Sequence, residues 1–336
     1  EDNSNSAVTI ATAGVEDGQT VTLVLNSKSY TGTVSGNTTS ITVPSADLQA
    51  LSESSTYTLS ANVSDVAGNA ATQHSSTTFS VDKTAPTAVL SGIADDVGSV
   101  VGNLSSGQTT DDTAVVITGT NEAGSTVDVY NGTTKLGAAT VTGTNWTYEA
   151  ALSDGTTYAL NAIEIDAAGN PSSATSNFTV IGDTTAPGKP TNSVSVAAAS
   201  DGIISASEKS AGVSVAVNLA DTSALAGDTL ELLVNGASFA SPVTYVLQST
   251  DIENGSVLIR IDGQDGWGND GTKALSARVI DVAGNVGTAS NALSVLLEAS
   301  PPTISAVTSS TANGTYNIGD VVAVNVQFDE VVTVTG

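Results

Sequence analysis

Residues 65–87 read DVAGNAATQHSSTTFSVDKTAPT, and the same design returns as DAAGNPSSATSNFTVIGDTTAPG (166–188) and DVAGNVGTASNALSVLLEASPPT (281–303). Each copy opens on Asp-x-Ala-Gly-Asn. It places an acid 17 residues later (Asp82, Asp183, Glu298) and a proline four residues after that (Pro86, Pro187, Pro302). The leading aspartates are separated by 101 and then 115 residues. A period of that size marks tandem domains. We expect units at 1–82 (incomplete at its start), 83–183, 184–298 (with longer loops) and 299–336 (the beginning of a further unit). Proline fixes φ and restricts the residue before it, so the short linkers are expected to be stiff.

The surroundings of the second copy give the fold class. TAVL (87–90) reads as a strand A, followed by an acidic loop, ADDVGSVVGNLSSGQTTDD (94–112). AVVITG (114–119) reads as B and the alternating STVDVY (125–130) as C. TKLGAATVT (134–142) and NWTYEA (145–150) form a hairpin-like middle, TYALNAIEI (157–165) is F, and ATSNFTVI (174–181) is G. Seven or so short strands in about 100 residues predict an all-β array of immunoglobulin-like β-sandwiches, without the cysteine pair of antibody domains. The first unit lacks the A strand. The final residues supply only an A-like strand and a B-like one, DVVAVNVQF (320–328).

Composition narrows the function. The 336 residues are 40% hydrophobic and 12% charged, with 34 acids against 8 bases, no cysteine and no methionine. That is not a disordered composition, and no disulfide staples the units. Without methionine, and with Glu1 first, the chain reads as an internal piece of something longer. A net charge of −26 argues against nucleic acid and anionic membranes as partners. No apolar run approaches the roughly 18 residues of a membrane span. So many carboxylates repel one another unless neutralised, and a hard divalent cation, Ca²⁺, does that with oxygen ligands.

The repeat says where the ions should go. The Asp of Asp-x-Ala-Gly-Asn follows strand F, so it lies in the FG loop at the N-terminal pole, while the second acid follows strand G at the opposite pole. An eight-residue strand spans roughly 26 Å, too far for one ion. Each second acid must therefore meet the next unit's FG loop, with a third acid from its BC loop. This predicts sites at Asp82–Glu122–Asp166, at Asp183–Asp221–Asp281, and beginning at Glu298–Glu330; the first unit's own pole offers Glu16 or Asp17 with Asp65. A second acidic cluster is expected in the AB loops: Asp95, Asp96, Asp111 and Asp112, then Asp201 and Glu208. The rival reading is an ordinary tight turn in which Asp caps nearby amides. DGQDGWGND (262–270) does not fit an EF-hand and reads as a glycine-rich turn.

One histidine (His74) and no cysteine cannot build a zinc site or a Cys–His dyad, so no enzyme is expected. Trp146 and Trp267 read as packing residues.

The Asp-Ala-Ala-Gly-Asn and Asp-Thr-Thr-Ala-Pro motifs, the BC-loop acid, DDVGSVVGNLSSGQTTDD (95–112) and SDGIISASEKSAG (200–212) resemble the bacterial Ig-like repeats of giant surface adhesins, both biofilm-associated and RTX-type, exported by type I secretion. The resemblance covers nearly the whole chain. It implies extracellular extender domains on the bacterial cell surface, a monomeric rod stiffened by Ca²⁺ between neighbouring repeats, holding a ligand-binding tip for adhesion and biofilm formation. Glu298 and Ala-Ser-Pro-Pro depart from the family's Asp and Thr-Thr-Ala-Pro. Two alternatives remain: one repeat is itself a carbohydrate- or protein-binding module, or the repeats are accessory domains of a secreted hydrolase.

Overall fold

The computed structural model describes residues 5–333. Its hydrophobic side chains gather in three separate cores, within residues 8–81, 90–180 and 194–299. Each core lies between two sheets, because alternate residues of each strand point inward.

The second sandwich is the reference. One sheet orders Gly102–Asn103, strand A (Val89–Asp95), B (Ala114–Thr120), E (Asn145–Ala151) and D (Thr140–Thr142). The other orders A′ (Gln108–Thr110), G (Phe178–Gly182), F (Thr156–Ile165), C (Thr126–Asn131) and C′ (Thr134–Ala138). A′ runs parallel to G. The segment expected to be a plain acidic loop therefore contains the strand that closes the second sheet. Strand G is shorter than expected, its first half being irregular, while strand A extends further, to Asp95.

Trp146 fills the core, and its Nε1 donates to the Thr120 carbonyl at 3.2 Å. That packing requires Gly119, where a Cβ would stand 2.1 Å from the Val89 carbonyl oxygen and 2.3 Å from the indole.

The third sandwich keeps this plan: A (Ser195–Val196), B (Val213–Asn218) and E (Ser256–Ile261) face A′ (Ile203–Ser205), G (Leu293–Glu298), F (Gly271–Ile280), C (Thr229–Val234) and C′ (Ala237–Val246). Short helices at Ala206–Ala211 and Ser249–Asn254 use its extra residues. Trp267 is buried edge-on against Phe239, with centroids 5.6 Å apart.

In the first sandwich, among the described residues, B (Ser6–Ala11) pairs with E (Thr38–Val43) in a two-stranded sheet. Its other sheet orders C′ (Lys28–Thr33), C (Thr20–Leu25), F (Ser60–Val63) and a short G (His74–Ser75) in which His74 is exposed. Beyond the third sandwich, Ile304–Ser309 and Val324–Phe328 form a two-stranded sheet. No helix among the described residues is long and apolar enough to cross a membrane.

Candidate cation sites at the sandwich poles

Asp-x-Ala-Gly-Asn folds the same way in all three FG loops. Asp166 Oδ1 accepts the Ala168 and Asn170 amides at 2.8 Å, and Asn170 Nδ2 donates to Asp166 Oδ2 at 2.8 Å. Asp281 accepts from Ala283, Gly284 and Asn285, and Asp65 accepts from Asn69. The asparagine side-chain bond, followed by backbone amides, holds the Asp65 carboxyl below the usual range; at Asp166 the same bond, set against partial desolvation, also lowers it. The tight-turn reading thus describes each loop internally.

The loop also reaches outward. Asn170 Nδ2 donates to the Asp82 carbonyl at 3.1 Å, and Asn285 Nδ2 donates to the Asp183 carbonyl at 2.7 Å. The FG loop of one sandwich therefore meets the last acid of the sandwich before it, at both junctions.

At the second junction the AB-loop acids are not a separate cluster. The Asp111 amide donates to the Ala283 carbonyl at 3.3 Å, and Ser99 Oγ donates to the Gly284 carbonyl at 2.8 Å. Gly284, at φ +108°, sits so close that a Cβ would lie 3.2 Å from Asp111 Oδ2. Burial, then the charge of Asp95, with smaller contributions from Asp281 and Asp112, push the Asp111 carboxyl up. Asp95 accepts Thr110 Oγ1 at 2.6 Å, Asp112 accepts the Ala114 amide at 2.8 Å, and the Asp183 amide donates to the Thr110 carbonyl. Asp96 is exposed.

The BC stretch brings two acids to this junction. Asp221 is turned to the linker, where it accepts Thr191 Oγ1 at 2.6 Å. Asp228, one residue before strand C, comes opposite Asp281 in the register that pairs Thr229 with Ile280. It is 3% exposed and accepts the Leu225 amide at 2.7 Å. Burial raises its pKa, and the charges of Asp281 and Asp183 add to the effect.

At the first junction the Glu122 amide donates to Glu164 Oε1 at 2.6 Å. Glu164, on strand F, is completely buried, and its Oε2 has no partner. Ser125 Oγ and Asn121 Oδ1, in the same BC turn, are also buried without partners. At the third junction Glu298 and Glu330 come together: burial, the charge of Glu298 and then Asp329, and a hydrogen bond with Glu298 raise the Glu330 pKa.

Elsewhere the predicted acids are engaged locally. Glu16 and Asp65 line one hollow with Asn69, whereas Asp17 accepts the Gly36 amide. Asp201 accepts the Ile203 amide, and Glu208 completes a capping box with Ser205.

Sequence reasoning missed the acids that hold the linkers. Glu53 accepts the Lys83 amide, Asp154 the Thr184 amide and Asp270 the Ser300 amide, each across 30 residues. That constant interval was the available signal. Behind two of them a tyrosine near the start of F accepts an upstream amide: Tyr57 from Ser52 and Tyr158 from Ser153. The third sandwich has Lys273 there, donating to the Asn269 carbonyl.

Among the described residues, no three His, Cys, Asp or Glu side chains are grouped closely enough to hold a metal ion as placed. The donor chemistry nonetheless suits a hard cation: carboxylate and carbonyl oxygens, with buried oxygens left over at Glu164 Oε2, Asp111 Oδ1 and Asp112 Oδ2.

Residues 84–184, which span the second sandwich, match the family described as "Bacterial Ig-like domain". The third repeats its strand plan. No curated protein matches the chain. Among solved structures, a Ca²⁺-stabilized adhesin that helps an Antarctic bacterium reach out and bind ice is 25% identical, covering 91% of this chain and 72% of that one at a TM-score of 0.39. A 1.5-MDa bacterial ice-binding adhesin is 22% identical, with 89% and 92% covered and a TM-score of 0.31. The FN1–FN3 domains of chicken CNTN1 are 13% identical, with 89% and 96% covered and a TM-score of 0.35.

Proposed function

We propose that this chain is a calcium-stiffened spacer of a secreted bacterial surface adhesin, holding a binding tip away from the cell. One observation carries the reading. At both junctions the same FG-loop asparagine grips the carbonyl of the preceding sandwich's last acid, and at the second the buried Asp228 lies near that contact, in the field of Asp281 and Asp183. The match of the second sandwich to the bacterial Ig-like family supports it.

The residues that would hold calcium are Asp82, Glu122, Asp166 and Glu164 at the first junction. At the second they are Asp183, Asp228 and Asp281, with Asp111 and Asp112 from the AB loop. Glu298 and Glu330 serve the third. A bound cation neutralises these carboxylates and ties two sandwiches together across a short proline-bearing linker. Extracellular modules bind calcium at about 10⁻⁴–10⁻³ M, so such sites fill outside the cell. No catalytic step is assigned.

The test is the end-to-end distance of the whole chain, from spin labels or small-angle scattering, in calcium and in chelator. Both are measured near 0.15 M salt, where the Debye length of about 8 Å limits charge repulsion. Calcium should lengthen and narrow the distribution. Equal mean and spread in the two conditions would discard the spacer mechanism. Asp166→Ala should loosen the first junction and leave the second unchanged.

A further inference from the structure

The inner ends of strands C and F meet at each N-terminal pole, and they carry a different pair of residues in each sandwich. In the second, Val127 pairs with Glu164, and in the third Leu230 pairs with Val279. Glu164 and Val279 thus occupy one position on F, while Ser125 and Asp228 occupy one position just before C. All four are buried. The second sandwich has a carboxylate on F and a hydroxyl before C. The third has an apolar residue on F and a carboxylate before C. In the first, Val21 pairs with Val63, and Gln19 precedes C, so neither position is acidic.

A buried carboxylate is retained at a cost unless a charge or several donors offset it. Neither Glu164 nor Asp228 has a lysine or arginine partner among the described ion pairs. Glu164 has one donor, the Glu122 amide, and an unpartnered Oε2, and it lies two residues before Asp166. Asp228 follows the register of Thr229 with Ile280 to a place opposite Asp281, and its one donor is the Leu225 amide. Two sandwiches thus bury a carboxyl at the same pole while taking it from opposite strands. Packing does not demand this, because valine fills the F position in the third sandwich with no exposure.

We propose that Glu164 and Asp228 are equivalent, interchangeable cation ligands, each setting the affinity of its own pole. This rests on the reading that the poles bind calcium.

Calcium titration calorimetry on the whole chain tests it. Glu164→Gln keeps an acceptor for the Glu122 amide but removes the charge. It should weaken one class of site by about tenfold or more and leave the others unchanged, since affinity follows the ligand charge count. Asp228→Asn should weaken a different class. The exchange Glu164→Val with Ser125→Asp should restore the site lost in Glu164→Gln. If the wild-type chain takes up no calcium, the spacer reading fails and this inference fails with it. If the wild type binds while Glu164→Gln and Asp228→Asn keep wild-type affinity, only this inference is overturned. The same holds if the exchange does not restore binding although circular dichroism shows a folded chain. Should Glu164→Gln fail to fold, Asp228→Asn and the exchange decide alone.

Discussion

The second and third sandwiches share a strand order but hold their parts by different means. The third buries twenty-two hydrophobic residues in its core cluster against eleven in the second. It adds two capped helices, and it replaces the Tyr158–Ser153 bond with Lys273 reaching the Asn269 carbonyl. Its pole takes the buried carboxyl from the start of C rather than from F. The larger core predicts that the third sandwich outlasts the second on heating. What the pair shares is the FG loop and its grip on the preceding linker. Sheet order and junction contact are thus the fixed features, while the packing behind them varies.

The largest effect expected is on the cores. Leu230→Ala in the third and Leu160→Ala in the second, both with fully buried side chains, should each cost about 2–5 kcal/mol. Calorimetry should show only the mutated sandwich melting earlier. If both transitions move together, the sandwiches are not separate folding units and the comparison collapses.

Calcium comes next. At about a hundred times its dissociation constant, a ligand that binds only the folded state adds about 2.7 kcal/mol, enough to raise a domain's melting temperature on the order of 10 °C. The shift should appear in the second and third sandwiches and vanish in chelator. Superimposable scans would remove the metal from the comparison altogether.

Tyr158→Phe leaves the Ser153 amide without its acceptor and should lower the second sandwich by about 1 kcal/mol while leaving the third untouched. Urea unfolding followed separately for each sandwich measures this. An unchanged midpoint would show that the tyrosine bond is incidental.

The smallest effect is the acid loss of the linker clamps. The Asp154 carboxyl is held below its usual range first by the Thr184 amide, and that of Asp270 by the Ser300 amide. A lowered pKa means that the clamp is intact above the ordinary carboxylate range and is lost only as pH falls through the lowered value. Asp154 accepts from the Thr184 amide and from the Thr184 and Thr185 hydroxyls, whereas Asp270 accepts from the Ser300 amide. Hydrogen exchange from about pH 5 to about pH 2, spanning the carboxylate range, should therefore show Thr184 and Ser300 keeping protection until the acid end. Loss of either near pH 5 would show that its clamp does not hold the linker.

Much of the fold was legible because it follows from local chemistry. Alternating β-branched residues set the strands, and Gly and Asn set the turns. In the FG loop, Asp-x-Ala-Gly-Asn closes on itself within five residues, so the turn after strand F could be read directly.

What the sequence left undecided depends on register and on contacts between distant loops. Asp221 and Asp228 lie seven residues apart in one acidic BC stretch, and only the pairing of Thr229 with Ile280 places the second beside Asp281. Glu164 lies within strand F, but its burial depends on which face strand C covers. The AB loop meets the next sandwich's FG loop through Asp111 and Ala283, about 170 residues apart, an interval that no motif spans. Turn chemistry acts over a few bonds and is written in the residues themselves. Which carboxylates share a pole depends on how sheets stack and where linkers point, and that is set only when the whole chain has packed.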